Sequence, residues 1–462
     1  MRLCRPVAVR VLAPIAIAIA VAAAVFATAS PGWPAGPPAA LPAGISPLPA
    51  DVESHLHELL AAAETIRGLK AKRPILAGVV EEKDLPARVA ESLRGELPAE
   101  RLHAAEVGLK AFGLLPEALD LARYLPMLLA SQVAGYYDPE RRYLTLVHHA
   151  GGALGLKAEG EPAEAKATEE MVLVHELTHA LQDQAFDLRK FIEDDPLSDE
   201  ATARTALVEG DASLVMFDYY TGHALESIPE AGKAVASALK SDPGGADLPG
   251  AKEMAAAPAW LRDSLEFGYV DGYLFCLDVR RKGGQKLLDS AFTTDPPRSS
   301  EQILHPEKWH TRRDDPILLP WPDLIAALPG GRKLAEGQLG ELGIFTLLRE
   351  AAKGRPRSPG FPKPSVAAAG WGGDRFAVYE TDGRRLLAWL TEWDTENDAQ
   401  ELRAAARSLG REWDVKQVAP RRVVLFRGDW SWREKRAVRK ALAAVKAGRA
   451  PVERLLPKAQ SR

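Results

Sequence analysis

The sequence predicts a mainly helical α+β protein that ends in a smaller α+β unit. Three observations predict it. Apolar residues recur at helical intervals through most of 51–133, 168–220 and 258–293. Gly135–Val147 instead reads as strand, turn, strand, with Tyr, Thr and Val flanking an Asp138-Pro139 turn. From about Gly373 the signals run ββαββα. The chain has 462 residues, which suggests two or three domains, because single cores rarely grow beyond about 250–300 residues. It is 46% hydrophobic and 26% charged, so it can bury a substantial core and disorder is not the default.

Residues 1–29 read as a secretory signal peptide. Arg2, Arg5 and Arg10 precede an uncharged apolar run, Val11 to Phe26, and Ala27-Thr28-Ala29 offers small residues for cleavage. The alternative is an uncleaved anchor, but the run is short and Pro14 interrupts it. An exported protein, periplasmic, envelope-bound or extracellular, is expected. Residues 30–50 are rich in Pro, Ala and Gly and read as a flexible leader.

Helices are expected at Val52–Leu69, Leu85–Leu97, Ala104–Phe112 and Pro116–Val133. The next two run from about Thr168 to Lys190 and from Asp199 to Tyr220. Residues 134–330 are expected to form the catalytic domain and 331–372 a connecting segment. The last unit, 373–462, has strands at Phe376–Glu380 and Leu386–Trp393 around an Asp382-Gly383 turn. Its first helix starts at a Thr395–Asp398 capping pair and stops at Gly410. Strands Val415–Val418 and Val423–Phe426 and a helix Ser431–Ala447 follow.

Without residues 1–29 a single cysteine remains, Cys276, so no intrachain disulfide is expected and Cys276 reads as a buried small hydrophobe. The formal charge of −4 becomes about −7 without the three leader arginines, which argues against nucleic acid as a partner. Residues 421–462 hold thirteen Lys and Arg against Asp429, Glu434 and Glu453. That tail reads mainly as a solvated helix face, with weak association to an anionic envelope as the other reading.

The chemistry-bearing string is His175-Glu176-Leu177-Thr178-His179. Residues i and i+4 share one helix face, so two imidazoles can reach one metal ion. The Glu after the first His then lies beside the open coordination position, where it can act as a general base. Chance gives this string in roughly 1% of chains of this length, so context matters. Val172, Leu173, Val174, Leu177 and Leu181 make the helix a buried one. Polar groups there need a reason, because unpaired ones are costly inside. The third ligand is expected to be Glu209, in an apolar segment of the next helix, where Gly210 would allow close approach. His148 and His149, at a strand end, are the other candidates. Asp183, i+4 from His179, could hold its free ring nitrogen; Asp211, i+2 from Glu209, would point elsewhere on a regular helix; the sequence does not decide between them.

The motif with a downstream Glu is similar to the gluzincin metallopeptidases. More closely, the chain resembles a group of uncharacterised exported bacterial proteins. These share Gly135–Pro139, His175–Gln184 (HELTHALQDQ), Glu209–Ala212 (EGDA) and Pro296–Pro306, over roughly residues 50–310 and more weakly 370–394. Gly268-Tyr269 and Ser299-Ser300 depart mildly from the group's pattern. The resemblance implies a zincin-like catalytic domain with a small edge sheet. It also implies one zinc ion on His175, His179 and Glu209, with Glu176 catalytic.

The expected activity is endopeptidase cleavage of a peptide or protein substrate. The 135–147 hairpin would offer an edge strand for an extended peptide. A Tyr or His is expected to donate a further hydrogen bond to the oxyanion; Tyr269 is chosen ahead of Tyr273 and His305. The rivals are a zinc-stabilised envelope scaffold with little turnover and a non-peptide zinc amidase. Two His and one Glu leave a coordination position open, which favours catalysis over a closed structural site.

Overall fold

A computed structural model describes residues 41–449, apart from 43, 134, 149–162, 193–194, 224–229, 231, 235, 238–249 and 354–361. The signal-peptide reading therefore lies outside the described residues, as does His149. Among the described residues no helix is long and apolar enough to cross a membrane.

The fold is mixed α+β and mainly helical, with a small mixed sheet and a C-terminal five-stranded antiparallel sheet. The chain opens with a short strand, β1 (Ser46–Pro47), and a helix, α1 (Ala50–Arg67). Asp51 and Glu53 favour the start of α1, and Gly68 ends it at φ 74°. Its buried stripe is Val52, Leu56, Leu59, Ala63 and, at its end, Arg67. Then come β2 (Leu76–Glu81), α2 (Leu85–Glu96), α3 (Ala99–Phe112) and α4 (Leu121–Ser131). The hairpin is β3 (Gly135–Asp138) and β4 (Tyr143–His148). The first sheet has the order β1-β2-β4-β3, with β2 parallel to β4 and the other pairs antiparallel. Strand β2 falls between the expected helices Val52–Leu69 and Leu85–Leu97, in a region expected to be mostly helical, and no strand is predicted there. It exists because it pairs in register with β4, Leu76 opposite Tyr143 through Glu81 opposite His148. A local pattern cannot announce such a distant partner.

Helix α5 (Ala163–Phe186) ends where Asp187 turns to φ 57°, and a single turn, α6 (Leu188–Phe191), follows. Helix α7 (Asp199–Thr221) is capped by Ser198, which accepts from Ala201 N. Every residue from Ala206 to Asp218 is buried, so α7 is the central helix. It packs on α5 and on the longest helix, α9 (Ala259–Thr293), which follows α8 (Ala251–Ala256) and kinks at Gly283-Gly284. Two short helices, α10 (Ser300–Leu304) and α11 (Glu307–His310), and a short strand, β5 (Ile317–Leu318), come next.

The second sheet has the order β6-β7-β8-β10-β9. It comprises β6 (Arg332–Gly337), β7 (Trp371–Thr381), β8 (Arg384–Trp393), β9 (Trp413–Ala419) and β10 (Arg422–Arg427). Between β6 and β7 run α12 (Gly340–Ala352) and α13 (Pro364–Ala368); α14 (Glu396–Ala405) and α15 (Trp432–Ala443) complete the unit. A two-residue strand, β11 (Gly448–Arg449), pairs with β5. The expected ββαββα order is present and Thr395–Asp398 forms a capping box. The expected boundary at 373 is corrected: β6 pairs with β7, so the sheet begins inside the supposed connecting segment. Both faces are covered, which explains the continuous apolar run of β8. One face packs against α12, α14 and the α3 residues Val107, Leu109 and Phe112; the other packs against α15 and Leu319–Leu328. The sheet thus shares a core with the N-terminal helices.

Candidate metal centre

Helix α5 presents His175, Glu176 and His179, all fully buried. Helix α7 presents Glu209, 3% exposed, from the opposite side. The two helices bring three donor atoms together. His179 Nε2 lies 2.9 Å from His175 Nε2. Glu209 Oε2 lies 3.2 Å from His175 Nε2 and 3.5 Å from His179 Nε2. Ligands about 2.0–2.2 Å from a tetrahedral zinc ion stand roughly 3.3–3.6 Å apart. The two Glu209 separations come near that spacing, and the two imidazole nitrogens, at 2.9 Å, stand closer than an ion would hold them. Glu176 also lies within ligand distance of the two imidazoles, its atoms and theirs falling within 4.8 Å. Glu209 is the better third ligand, because one of its oxygens meets both rings while Glu176 is engaged elsewhere.

Glu176 Oε2 accepts the backbone N–H of Tyr137 at 2.8 Å, and Oε1 has no hydrogen-bond partner among the described residues. One oxygen is fixed and the other is available for a water. Strand β3, which carries Tyr137, is the edge strand of its sheet, as expected. All four of its residues are buried and the outward N–H of Tyr137 is taken by Glu176. The pairing surface for an extended peptide is therefore narrower than the sequence suggests.

Burial dominates the electrostatics. It pushes His175 down to about 4, with neighbouring His179 adding to the effect. It pushes Glu176 up to about 7, against the opposing pull of His179 and the Tyr137 N–H. For His179 burial is outweighed by Glu209, which holds the ring above its ordinary value. Burial likewise opposes ionisation of Glu209, but the imidazoles hold its carboxyl below the usual range. The chemistry of the set is two imidazoles and one ionised carboxylate, a donor set that suits zinc.

The orienting residues differ from expectation. Asp183 does not reach His179; it accepts from Tyr137 OH at 3.0 Å and from Leu188 N at 3.3 Å. The partner of His179 Nδ1 is Gln182 Oε1, at 2.9 Å. Both i+3 and i+4 lie on the same helix face, so spacing alone could not choose between them. Asp211 does belong to the surroundings of the site, through Gln182 Nε2, which donates to its Oδ2 at 2.8 Å.

Helix α9 closes the site from a third side through glycines. A Cβ on Gly210 would lie 2.1 Å from the carbonyl carbon of Gly272, and one on Gly268 would lie 3.2 Å from Glu209 Cγ. Only glycine at 210 permits this approach of α9 to α7, and a side chain at 268 would press tightly on Glu209. It brings the Tyr269 ring to 5.7 Å from the His175 ring, centroid to centroid. The two alternatives to Tyr269 lie elsewhere. Tyr273 packs against Phe217, and His305 Nε2 pairs with Glu341 at 3.0 Å in the joint between α10 and α12. His148 ends β4, opposite Glu81. Cys276 is buried, and burial pushes its thiol well up.

A domain family of unknown function, DUF8575, matches residues 328–453. That is the five-stranded sheet with its helices, and it excludes every residue of the His175 cluster. No curated protein and no solved structure matches the chain.

Proposed function

We propose that this chain is a zinc-dependent hydrolase with a zincin-like catalytic region, and that it cleaves peptide bonds internally. The observation that carries the reading is the convergence of His175 Nε2, His179 Nε2 and Glu209 Oε2 beside a Glu176 carboxylate with one oxygen free. A bound zinc ion supplies Lewis acidity, which acidifies water and polarises the carbonyl. Glu176 takes a proton from the attacking water as its oxygen bonds to the carbonyl carbon, and passes that proton to the nitrogen as the C–N bond breaks. Tyr137 N–H holds the base in place during both transfers. Tyr269 is the proposed oxyanion donor. The leader at 1–29 supports an exported enzyme. The resemblance to gluzincins and to exported bacterial proteins supports the same reading.

Incubation of a denatured proteome with wild type, followed by sequencing of new peptide termini, tests it. Zinc-dependent new internal termini that Glu176→Gln fails to produce are expected. An equal pattern from both proteins would remove the peptidase reading.

A further inference from the structure

The N-terminal helix α1 reaches the same site through buried polar atoms. Arg67, 1% exposed, donates from Nε to Asp211 Oδ2 at 2.7 Å. The same oxygen accepts Gln182 Nε2 at 2.8 Å. Gln182 Nε2 also donates to Val208 O at 3.1 Å, and Gln182 Oε1 faces His179 Nδ1 at 2.9 Å. The other arm of Arg67 donates from Nη1 to Asp289 at 2.8 Å, and Phe186 and Phe292 flank the guanidinium at 5.8 and 5.7 Å. Four links in this line are polar side chains from three helices with almost no access to water.

The direction of the line follows from donor chemistry. A guanidinium only donates, and an ionised carboxylate only accepts. Asp211 therefore presents lone pairs to Gln182. The amide must turn its NH₂ toward Asp211 and Val208, which leaves its carbonyl oxygen facing His179. That oxygen can only accept, so His179 carries its proton on Nδ1 and presents a lone pair at Nε2. A flipped amide would place its NH₂ against His179 Nδ1 and its oxygen against a carboxylate. Resting on the metal-site reading above, we propose that Arg67 is a positioning residue of that site. Through Asp211 and Gln182 it fixes the His179 tautomer that offers Nε2 to zinc. Helix α1 is then part of the site's frame, not a removable cover over it.

The test uses metal-stripped full-length protein titrated with zinc against a chelating indicator, with circular dichroism to confirm the fold. Wild type that holds no zinc sinks the metal reading, and this inference with it. If wild type holds zinc, Arg67→Met and Gln182→Met should each weaken it about 10–100-fold. The double variant should be no weaker than Gln182→Met alone, because both act on one line. Asp289→Ala removes the acceptor of the other arm of the fork only and should shift affinity less than about threefold. Nitrogen-15 shifts of His179 in the metal-free protein, taken at a pH high enough for the ring to be neutral, should show a single Nδ1–H tautomer in wild type and a mixture in the two Met variants. A merely structural Arg67 would lower the melting temperature without moving that spectrum. Should Arg67→Met not fold, Arg67→Lys keeps the charge and loses the directed Nε–H. It should weaken zinc about threefold to tenfold. Wild-type affinity and tautomer in the Arg67 variants would overturn the inference while leaving the metal reading intact.

Discussion

Two clusters of metal-ligand side chains occur among the described residues, and they differ in what balances their charge. At one, Glu301, Asp314 and Asp394 converge. Lys308 Nζ stands among them, 2.6, 2.9 and 2.7 Å from the three carboxylates. At the other, Glu209 meets two imidazoles, and no ammonium or guanidinium lies within ion-pair distance of it among the described residues. The first cluster carries its own cation. It ties the α11 region to the end of β8, and so joins the helical part to the C-terminal sheet. The second has no lysine or arginine of its own, and only its imidazoles offset Glu209. Converging carboxylates alone are weak grounds for a metal; converging imidazoles and a carboxylate with no ammonium or guanidinium among them are stronger ones.

The largest expected effect sharpens that contrast directly. His175→Ala, His179→Ala and Glu209→Ala should each take bound zinc from roughly one ion per chain toward none. Glu301→Gln should leave it unchanged. Elemental analysis of purified proteins measures both. Full zinc in Glu209→Ala would remove that residue as a ligand and return the choice to Glu176.

Next come two variants that keep the metal. Glu176→Gln should retain zinc and fold and lose cleavage by about 10²–10⁴-fold. Tyr269→Phe removes one hydroxyl and keeps the ring beside His175. Its kcat should fall on the order of 10²-fold, with zinc content and KM little changed. A kcat within about twofold of wild type would rule Tyr269 out. His305 would not inherit the role, because it is committed to Glu341.

What could be read from the sequence follows the same division. His175, Glu176 and His179 were legible because a helix repeats, and their residue types carry chemistry at that spacing. Glu209 was legible because a charged residue in an apolar helix needs a partner. Arg67 was not: it lies 144 residues from Asp211 and reads locally as the basic end of a helix. Gln182 was not legible either: it and Asp183 lie on the same helix face as His179, and spacing cannot choose between them. Strand β6 was missed because Arg332-Lys333-Leu334-Ala335-Glu336-Gly337 is a partly exposed edge strand whose charges mask the alternation. Strands β7 to β10 and the Thr395–Asp398 capping box are clear in the sequence, because their signals are local.

Lys308→Met extends the comparison by removing the internal cation. One buried and two partly buried carboxylates would then face one another. The melting temperature should drop by several degrees, on the order of 2 kcal/mol after allowance for partial solvent access. Zinc content should not change. Added calcium should restore part of the loss in Lys308→Met and do little for wild type, because the variant leaves an oxygen-only cluster of the kind calcium accepts. No response to calcium would mean that the carboxylates separate once the lysine is gone.

Asp199 shows a third way of balancing a buried carboxylate, with a proton. It is 3% exposed at the start of α7 and accepts Ser300 N at 2.9 Å. Burial pushes it up to about 7, and nearby Asp374 and Glu341 add to that against the Ser300 hydrogen bonds. An acid with a raised pKa in the fold is more easily ionised in the unfolded chain, so ionisation favours unfolding. Its contribution to stability is full below its ordinary value of 3.8 and declines as pH rises toward about 7. Asp199→Asn cannot ionise, and its amide oxygen can still accept the Ser300 N–H. The variant should therefore gain on wild type as pH rises from about 4 to 7, and its melting temperature should vary less across that range. The effect is the smallest of the set, because Glu341 and Asp374 are raised by burial as well and keep their own slopes. Parallel profiles for the two proteins would mean that Asp199 stays ionised through the whole range, balanced by its hydrogen bonds instead of by a proton.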